Sequence, residues 1–310
     1  MLYFIVNEKS KSGNAKQIWK EIEEVLKVRN VSYQAFVSEY RGHAGKLATE
    51  ICAMDDDDIC LVAVGGDGTA NEVINGITDF EKVRFGVIPT GSGNDLARGL
   101  SLSKDPKNGV IHILNAMKKP CEDTWCMDLG EVNFGEKKRL FAISAGIGLD
   151  ALVCKKALKS TVKDILNKIR LGKLTYLVLT VQSLFAMQTA DAEIFFDQEK
   201  VLQKKRMIFT AAMNFKAEGG GVPMAPAASA CDGKLSFCEA AGIPKWRTFL
   251  CLPFLVAAKH TSVHGFSVTD AKDCTIRLSR PMVVHADGEY CGEVTEVHFH
   301  CLPGKLRVLK

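Results

Sequence analysis

The chain has 310 residues, more than one ordinary hydrophobic core holds, and we therefore expect two domains. Hydrophobic residues at 47% and charged residues at 25% are typical of globular proteins and exclude a largely disordered chain. The net charge of +4 is small, so we expect no nucleic-acid partner, and any basic surface must come from local clustering.

The first 127 residues alternate between strand and helix patterns. Apolar runs predict strands at residues 3–7, 31–38, 59–64 and 84–88, and helical spacing predicts helices at 15–28, 44–54, from 70 and from about 94. This rhythm is typical of a doubly wound parallel sheet. Such a sheet binds ligands at the carboxyl ends of its strands.

From residue 128 the pattern changes to short segments, several of which alternate apolar with polar residues. The predicted strands are 139–145, 192–196, 207–213, 234–240, 275–278 and 295–301, and one helical insert covers about 151–187. We therefore expect an antiparallel β-sandwich over 128–301, with residues 302–310 packing back on the first domain. An exposed edge of the sandwich could pair two copies of the chain into a homodimer.

The eleven cysteines lack the spacing of a zinc site or a redox pair. Most lie in apolar runs, where a reduced cysteine behaves as a small hydrophobic residue. The longest uncharged run, 174–190, is 17 residues and contains two glutamines and a serine, which is short and polar for a membrane span. We expect a cytoplasmic protein.

The sequence Gly65-Gly66-Asp67-Gly68-Thr69 follows the apolar run at 59–64. A glycine turn between a strand and a helix lets a phosphate approach bare amides at the positive end of the helix dipole. Thr69 is predicted to cap the helix, with Glu72 completing a capping box. The Asp67 carboxylate would repel phosphates unless a divalent cation lay between them, so the turn indicates a nucleotide with Mg²⁺.

A second glycine turn, IPTGSGNDLAR at 88–98, follows the next predicted strand. Asn94 or Asp95 alone would be interpreted as a helix N-cap. Because both turns follow neighbouring parallel strands, we expect Asp67 and Asp95 to converge on one crevice and to form a Mg²⁺ site.

Together, GGDGT and PTGSGNDLA resemble the diacylglycerol kinase catalytic family, in its soluble bacterial lipid-kinase branch, which is related to sphingosine and ceramide kinases. Residues 7–19 resemble the family's first nucleotide loop, although Glu8 and Lys11 stand where proline and the first glycine are usual. Asp128-Leu129-Gly130, the segment 141–153 and Asp287-Gly288-Glu289 match further family segments. The resemblance extends over nearly the whole chain.

The resemblance implies an ATP-dependent lipid kinase, with diacylglycerol as the commonest acceptor. Three aspartates would share the catalytic Mg²⁺, partly through water, namely Asp67, Asp95 and Asp128. The implied ATP-binding residues are Asn7, Ser38, Gly65, Gly66, Asp67, Gly68, Thr69, Asn71 and Ser92.

The implied general base for the lipid hydroxyl lies in Asp287-Gly288-Glu289, where the sequence does not choose between Asp287 and Glu289. Taken alone, this tripeptide is typical of an ordinary hairpin turn. A structural Mg²⁺ held by Asp232 and the carbonyls of Ser229 and Lys234 is also implied, and the alternative there is a simple Asp-Gly turn.

The helical insert is basic. Seven lysines and arginines and one aspartate lie between Lys155 and Lys173, interleaved with apolar residues. This pattern predicts peripheral contact with an anionic membrane that holds the lipid substrate. The alternative is a solvated helix face that packs on the core.

Two other functions stay open. An NAD kinase also carries a GGDGT turn and a similar two-domain plan, but PTGSGNDLA favours the lipid branch. A catalytically impaired nucleotide-binding regulator that docks on membranes is the second alternative, and the altered first loop keeps it open.

Overall fold

The structure, a computed structural model, describes residues 1–10, 15–159, 172–197 and 200–310. Its contacts divide the chain into two units. The first unit contains Met1–Leu129 and Pro303–Lys310, and the second contains Gly130–Leu302. Lys11 and the segment 160–171, which holds several of the basic residues of the predicted insert, lie outside the described residues.

The first unit is an α/β domain with a parallel sheet. Its strands are β1 (Leu2–Val6), β2 (Gln34–Val37), β3 (Ile59–Gly65) and β4 (Val83–Pro89), and the end of β14 (Glu289–Val308) joins them in the order β14-β4-β3-β1-β2. Its helices are α1 (Ala15–Val28), α2 (His43–Cys52), α3 (Asp67–Gly76), α4 (Asp95–Gly99) and α5 (Pro106–Ala116). All side chains of β1 and β3 are buried, as expected for parallel strands covered on both faces.

The packing of α1 shows how the sequence builds this domain. Trp19, Ile22 and Leu26 recur every three to four residues and form the buried stripe of the helix. The Trp19 ring lies 5.2 Å from the ring of Phe4 on β1, in a tilted arrangement.

The predicted start of α3 is wrong. The helix begins at Asp67 rather than after Thr69, and no side chain caps it. The Thr69 hydroxyl instead accepts a hydrogen bond from the side chain of Asn7, and Glu72 accepts one from the amide of Gly42. The capping-box pattern is present in the sequence, but the side chains of Thr69 and Glu72 form hydrogen bonds to residues distant in sequence instead of capping the helix.

The second unit contains an antiparallel sheet structure, which confirms the predicted fold class. Its main sheet has the order β12-β11-β10-β7-β13-β14. The strands are β6 (Lys137–Phe141), β7 (Ser144–Gly148), β8 (Ala190–Phe196), β9 (Lys200–Met207), β10 (Phe209–Met213), β11 (Leu235–Ala240), β12 (Phe266–Ala271) and β13 (Asp273–Ala286), together with most of β14. Strand β5 (Trp125–Phe134) begins in the first unit and continues into the second from Gly130. Inward-facing residues such as Ile194, Phe237 and Phe299 form its core.

Two predicted strands of this unit are each divided in the structure. Residues 139–145 contain the end of β6 and the start of β7, separated by Ala142 and Ile143. Residues 207–213 contain the last residue of β9 and the whole of β10. An apolar run does not show where a chain leaves one strand and enters the next.

Three described helices accompany this sheet. They are α6 (Leu149–Lys159), α7 (Gly172–Ala186) and α8 (Lys245–Val256), and α7 contacts both α6 and α8. Among the described residues, no helix combines the length and the apolar character needed to span a bilayer.

Candidate functional site

The two glycine turns of the first unit touch each other. A Cβ atom on Gly91 would lie 2.6 Å from the Cα atom of Gly66, and one on Gly66 would lie 3.2 Å from the Cα atom of Gly91. The Thr90 amide donates to the Gly65 carbonyl at 2.8 Å, so the turns are also joined through the backbone. Only glycine fits at this contact without displacing the facing backbone.

Asp67 and Asp95 both lie close to Gly93. The position of a Cβ atom on Gly93 is 2.9 Å from Asp67 Oδ2 and 3.7 Å from Asp95 Oδ2. Asp67 Oδ1 accepts a hydrogen bond of 3.1 Å from the Leu96 amide in the first turn of α4. The structure therefore brings together two of the three carboxylates that the sequence assigned to Mg²⁺.

Asn94 closes the second turn instead of capping α4. Its backbone is left-handed with φ of 52°, and no capping hydrogen bond is made. Its side chain accepts from the Gly91 amide and donates to the Gly91 carbonyl, both at 2.9 Å. Arg98 pairs with Asp95 and donates to the Gly93 carbonyl at 2.8 Å. The turn is thus held rigid by side chains at both of its ends.

The first loop is connected to both turns. Asn7 Nδ2 donates to Thr69 Oγ1 at 3.0 Å, and Ser10 Oγ lies 2.5 Å from Thr90 Oγ1. Sequence reasoning identified Asn7 and Thr69 but missed Ser10 and the fully buried Thr90. The only local signal for Thr90 was its place directly after the β4 proline.

The remaining predicted ATP ligands differ in exposure. Ser38 is buried directly after β2, Ser92 is exposed at the tip of the second turn, and Asn71 is buried within α3. Asn71 Oδ1 accepts a hydrogen bond of 3.3 Å from Asn75 Nδ2. An exposed Tyr40 follows Ser38 closely and stacks on His43 with ring centroids 4.5 Å apart.

Asp128 belongs to the first unit. It is buried, and its Oδ1 accepts a hydrogen bond of 2.7 Å from the amide of Gly304, which lies in the C-terminal residues of the same unit. Within the described part of the chain, Asp67, Asp95 and Asp128 do not form a group with ligand atoms all within 4.8 Å of one another. A Mg²⁺ ion shared by all three would therefore keep water ligands, as this ion usually does.

In the second unit, Asp287 and Gly288 form a two-residue hairpin turn between β13 and β14. Their φ angles of 47° and 81° are left-handed, as such a turn requires. The Asp287 carboxylate accepts hydrogen bonds from three amides, those of Ala142 and Ile143 at 2.8 Å and that of Ser144 at 3.0 Å. The turn is therefore an ordinary hairpin in its backbone and is anchored to the β6–β7 connection through its aspartate.

His285 forms a hydrogen bond to this turn. Its Nδ1 accepts from the Gly288 amide at 3.2 Å, so in the neutral ring the proton is on Nε2, which lies 3.1 Å from Asp150 Oδ2. Asp150, Glu218 and His285 form a group whose potential metal-ligand atoms all lie within 4.8 Å of one another, and it is the only such group of three among the described residues. Burial lowers the pKa of His285, but its hydrogen bond to Asp150 and the charges of Asp150, Glu218 and Asp287 raise the pKa above the ordinary 6.5.

The segment implied to hold a structural Mg²⁺ forms a short turn. Asp232 Oδ1 accepts from the Lys234 amide at 3.1 Å, and Ser229, Asp232 and Lys234 are all exposed. This hydrogen bond is that of an Asx turn. The metal assignment stays a prediction.

Comparison with known proteins places these features in one family. The diacylglycerol kinase catalytic domain family matches residues 1–124, and the family described as the YegS C-terminal NAD kinase beta sandwich-like domain matches residues 144–310. The Bacillus subtilis protein named "Putative lipid kinase YtlR" is 30% identical over 312 residues, covering 99% of this chain and 98% of that protein. A Bacillus subtilis diacylglycerol kinase is 28% identical over 81% of this chain and 76% of its own length.

Solved structures share the fold. A diacylglycerol kinase structure from Bacillus anthracis superposes with a TM-score of 0.71 at 18% identity, covering 99% of this chain and 96% of the other. An NAD kinase from Archaeoglobus fulgidus in complex with ATP superposes with a TM-score of 0.54 at 14% identity, covering 100% and 94%. The predicted resemblance and the predicted two-part fold are confirmed.

The contact between the turns predicts a large difference between two glycine substitutions. Gly91→Ala should destabilise the protein by roughly 1–3 kcal/mol because its methyl group overlaps the Gly66 backbone. Gly109→Ala in α5 should be neutral or stabilising by up to about 1 kcal/mol, since helical alanine is favoured and the new atom meets only Ile88 at 3.9 Å. Thermal unfolding of both variants tests this, and equal melting temperatures would contradict it.

The His285 environment predicts a pH-dependent contribution to stability. A folded-state pKa above 6.5 favours folding below that pH, and the contribution disappears as the pH rises through the folded-state pKa. The loss of stability in His285→Asn, measured by urea unfolding, should therefore be larger near pH ~6 than near pH ~9. The exposed His264→Asn is the matched control, and a loss that is the same at both pH values would show that His285 does not titrate in this way.

Proposed function

This chain belongs to the diacylglycerol kinase catalytic family, and we propose that it transfers the γ-phosphoryl group of ATP to the hydroxyl group of a lipid. The observation that carries the proposal is the contact of the two glycine turns, with the carboxylates of Asp67 and Asp95 both close to Gly93. Diacylglycerol, which would give phosphatidic acid, is the proposed acceptor because several relatives are named diacylglycerol kinases.

The first turn supplies the phosphate-binding part of this proposal. β3 ends at Gly65 and α3 begins at Asp67, so the amides of the turn lie at the positive end of a ten-residue helix. Gly66 and Gly68 carry no side chain that would keep a phosphate from the backbone. ATP would be held here by Asn7, Thr69 and Ser92, together with the buried Ser38 and Asn71.

The carboxylates fit a Mg²⁺ ion. Asp67 and Asp95 present hard oxygen donors on adjoining turns that are locked by hydrogen bonds, and this donor set suits Mg²⁺. When bound, the ion would neutralise charge on the transferred phosphoryl group. Asp128 would contribute through water, with its position set by the Gly304 amide.

The hairpin contacts favour Glu289 as the general base. Three amides already hold the Asp287 carboxylate, which suits an anchor that fixes the turn. Glu289 is the first residue of β14, half-buried and directly after the turn that Asp287 fixes. In this proposal Asp287 positions the turn, and Glu289 orients the lipid hydroxyl and accepts its proton late in the transfer.

A direct test is transfer of labelled γ-phosphate from ATP to a panel of lipids in mixed micelles, with NAD⁺ as a further acceptor. Labelling of diacylglycerol supports the proposal. Labelling of NAD⁺ alone would replace it with the NAD kinase function that the shared fold permits. ATP binding without transfer to any acceptor would favour a regulator.

The substitution Asp67→Asn tests the metal-binding role of Asp67 separately from its structural role. The asparagine oxygen can still accept from the Leu96 amide, but the negative charge for Mg²⁺ is lost. We expect phosphoryl transfer to fall by roughly 10²-fold or more with little change in melting temperature. Glu24→Gln on the exposed side of α1 is the matched control, and turnover of Asp67→Asn at the wild-type rate would refute the metal role.

We further propose that the basic helical insert contacts anionic lipid. Lys155 is already engaged, since its Nζ lies 2.5 Å from Glu293 Oε1 and 4.9 Å from the Tyr290 ring centre. The hydrogen bond to Glu293 raises the pKa of Lys155, although burial acts in the opposite direction. Lys156, which is partly exposed on the same helix, is the better candidate for lipid contact.

Lys156→Glu should weaken sedimentation with anionic vesicles by roughly fivefold to tenfold, because each cation near an anionic surface contributes about 1 kcal/mol. The exposed Lys20→Glu in α1 makes the same change of charge in the first unit and should have little effect. Equal vesicle binding by the two variants would remove the proposed role of the insert.

A further inference from the structure

Helix α8 is apolar on two opposite faces. Thr248, Cys251 and Leu255 form its buried face. The exposed face carries five large apolar side chains that are between 40% and 67% exposed, namely Trp246, Phe249, Leu250, Phe254 and Val256. At 100° per residue, Trp246 and Leu250 lie opposite the buried face. A helix that packs on a soluble core needs only one apolar face, so the second one requires a separate explanation.

The exposed face continues onto the end of α7. Phe185 is 50% exposed, and its ring lies 6.3 Å from that of Phe249. Lys245 donates hydrogen bonds to the carbonyls of Phe185 and Met187, which joins the start of α8 to the end of α7. We call Phe185, Trp246, Phe249, Leu250 and Phe254 the α8 apolar face.

The charged residues in the sequence around α8 have one sign. Residues 240–269 contain no aspartate or glutamate, whereas Lys245, Arg247 and Lys259 lie within them. Trp246 stands between Lys245 and Arg247, and this combination of an aromatic ring with cations is typical of helices that lie in the headgroup region of a bilayer. Two copies of the chain meeting through this face would bring like charges together, so the charge pattern favours an anionic lipid surface over self-association.

We propose that the α8 apolar face inserts into the interface of an anionic bilayer and holds the second unit on the membrane that contains the acceptor. The proposal rests on the proposed lipid-kinase function. It assigns insertion to residues other than the basic ones between Lys155 and Lys173. The lysines of the insert would contribute long-range attraction, and the aromatic and aliphatic side chains of α8 would contribute burial of apolar area.

The test uses vesicles of phosphatidylcholine and phosphatidylglycerol with the full chain and without ATP. In the variant Phe249→Ala/Leu250→Ala/Phe254→Ala, vesicle affinity should fall by about tenfold or more, because the strength of membrane binding increases with the apolar area that is buried in the bilayer. Trp246 is kept as a reporter, and its emission should shift to the blue on vesicles in the wild type but not in this variant. Trp246→Phe identifies its share of the emission, because Trp19 and Trp125 also fluoresce.

A matched control removes exposed apolar side chains elsewhere. Val28→Ala/Val201→Ala changes two residues that are 86% and 51% exposed outside the α8 apolar face, and it should bind vesicles as the wild type does. High salt should weaken the contribution of Lys156 more than that of the α8 apolar face, because only charge interactions are screened.

Wild-type vesicle binding by the triple variant would overturn the inference. A dimer in sedimentation velocity that the triple variant dissociates, with vesicle binding unchanged, would instead assign the face to a second copy of the chain. Kinase activity is measured separately on a short-chain, water-soluble diacylglycerol, where the triple variant should match the wild type. If vesicle binding depends on α8 but the protein has no lipid kinase activity, the proposed function would be wrong, whereas the membrane role of the α8 apolar face would still be supported.

Discussion

The contact between Gly66 and Gly91 is the constraint on which the candidate site depends. Any side chain at Gly91 would overlap the facing backbone, so the two turns can meet only as glycines. Their contact brings the α3 and α4 starts together and allows Asp67 to reach the Leu96 amide. The same contact places the carboxylates of Asp67 and Asp95 close to Gly93, and neither depends on a long loop for its position. The proposed metal and phosphate site, built in this way, would need little reorganisation, which is what electrostatic catalysis requires.

Local patterns predicted much of this arrangement, and long-range hydrogen bonds account for what they missed. The strand and helix order of the first unit followed from apolar runs and helical spacing, and both glycine turns lie at strand ends as expected. The Thr69 capping box was predicted wrongly because Asn7, far away in sequence, donates to the hydroxyl. The contact of Ser10 with Thr90 joins residues eighty positions apart, and no short-range pattern encodes it.

The Asp287 turn shows why a structural and a functional interpretation need not compete. Its backbone is a two-residue hairpin that Asp-Gly favours, yet the aspartate also binds the amides of 142–144, which the apolar pattern had placed in one continuous strand. Those amides are available because β6 and β7 are separate strands. His285 adds a second anchor, and its two ring nitrogens serve different partners. A turn held at both residues can present the next residue, Glu289, in a fixed direction.

The fold alone does not decide which alcohol is phosphorylated, since an NAD kinase shares it at a TM-score of 0.54. An NAD kinase meets its acceptor in solution and needs no apolar surface outside its binding site. A lipid kinase meets an acceptor that stays at an interface, so part of its exterior must be compatible with lipid. Helix α8 exposes aromatic and aliphatic side chains in a stretch of chain without acidic residues. Exposing such a surface to water costs free energy in any protein, and in the proposed function contact with the membrane that holds the acceptor would offset that cost.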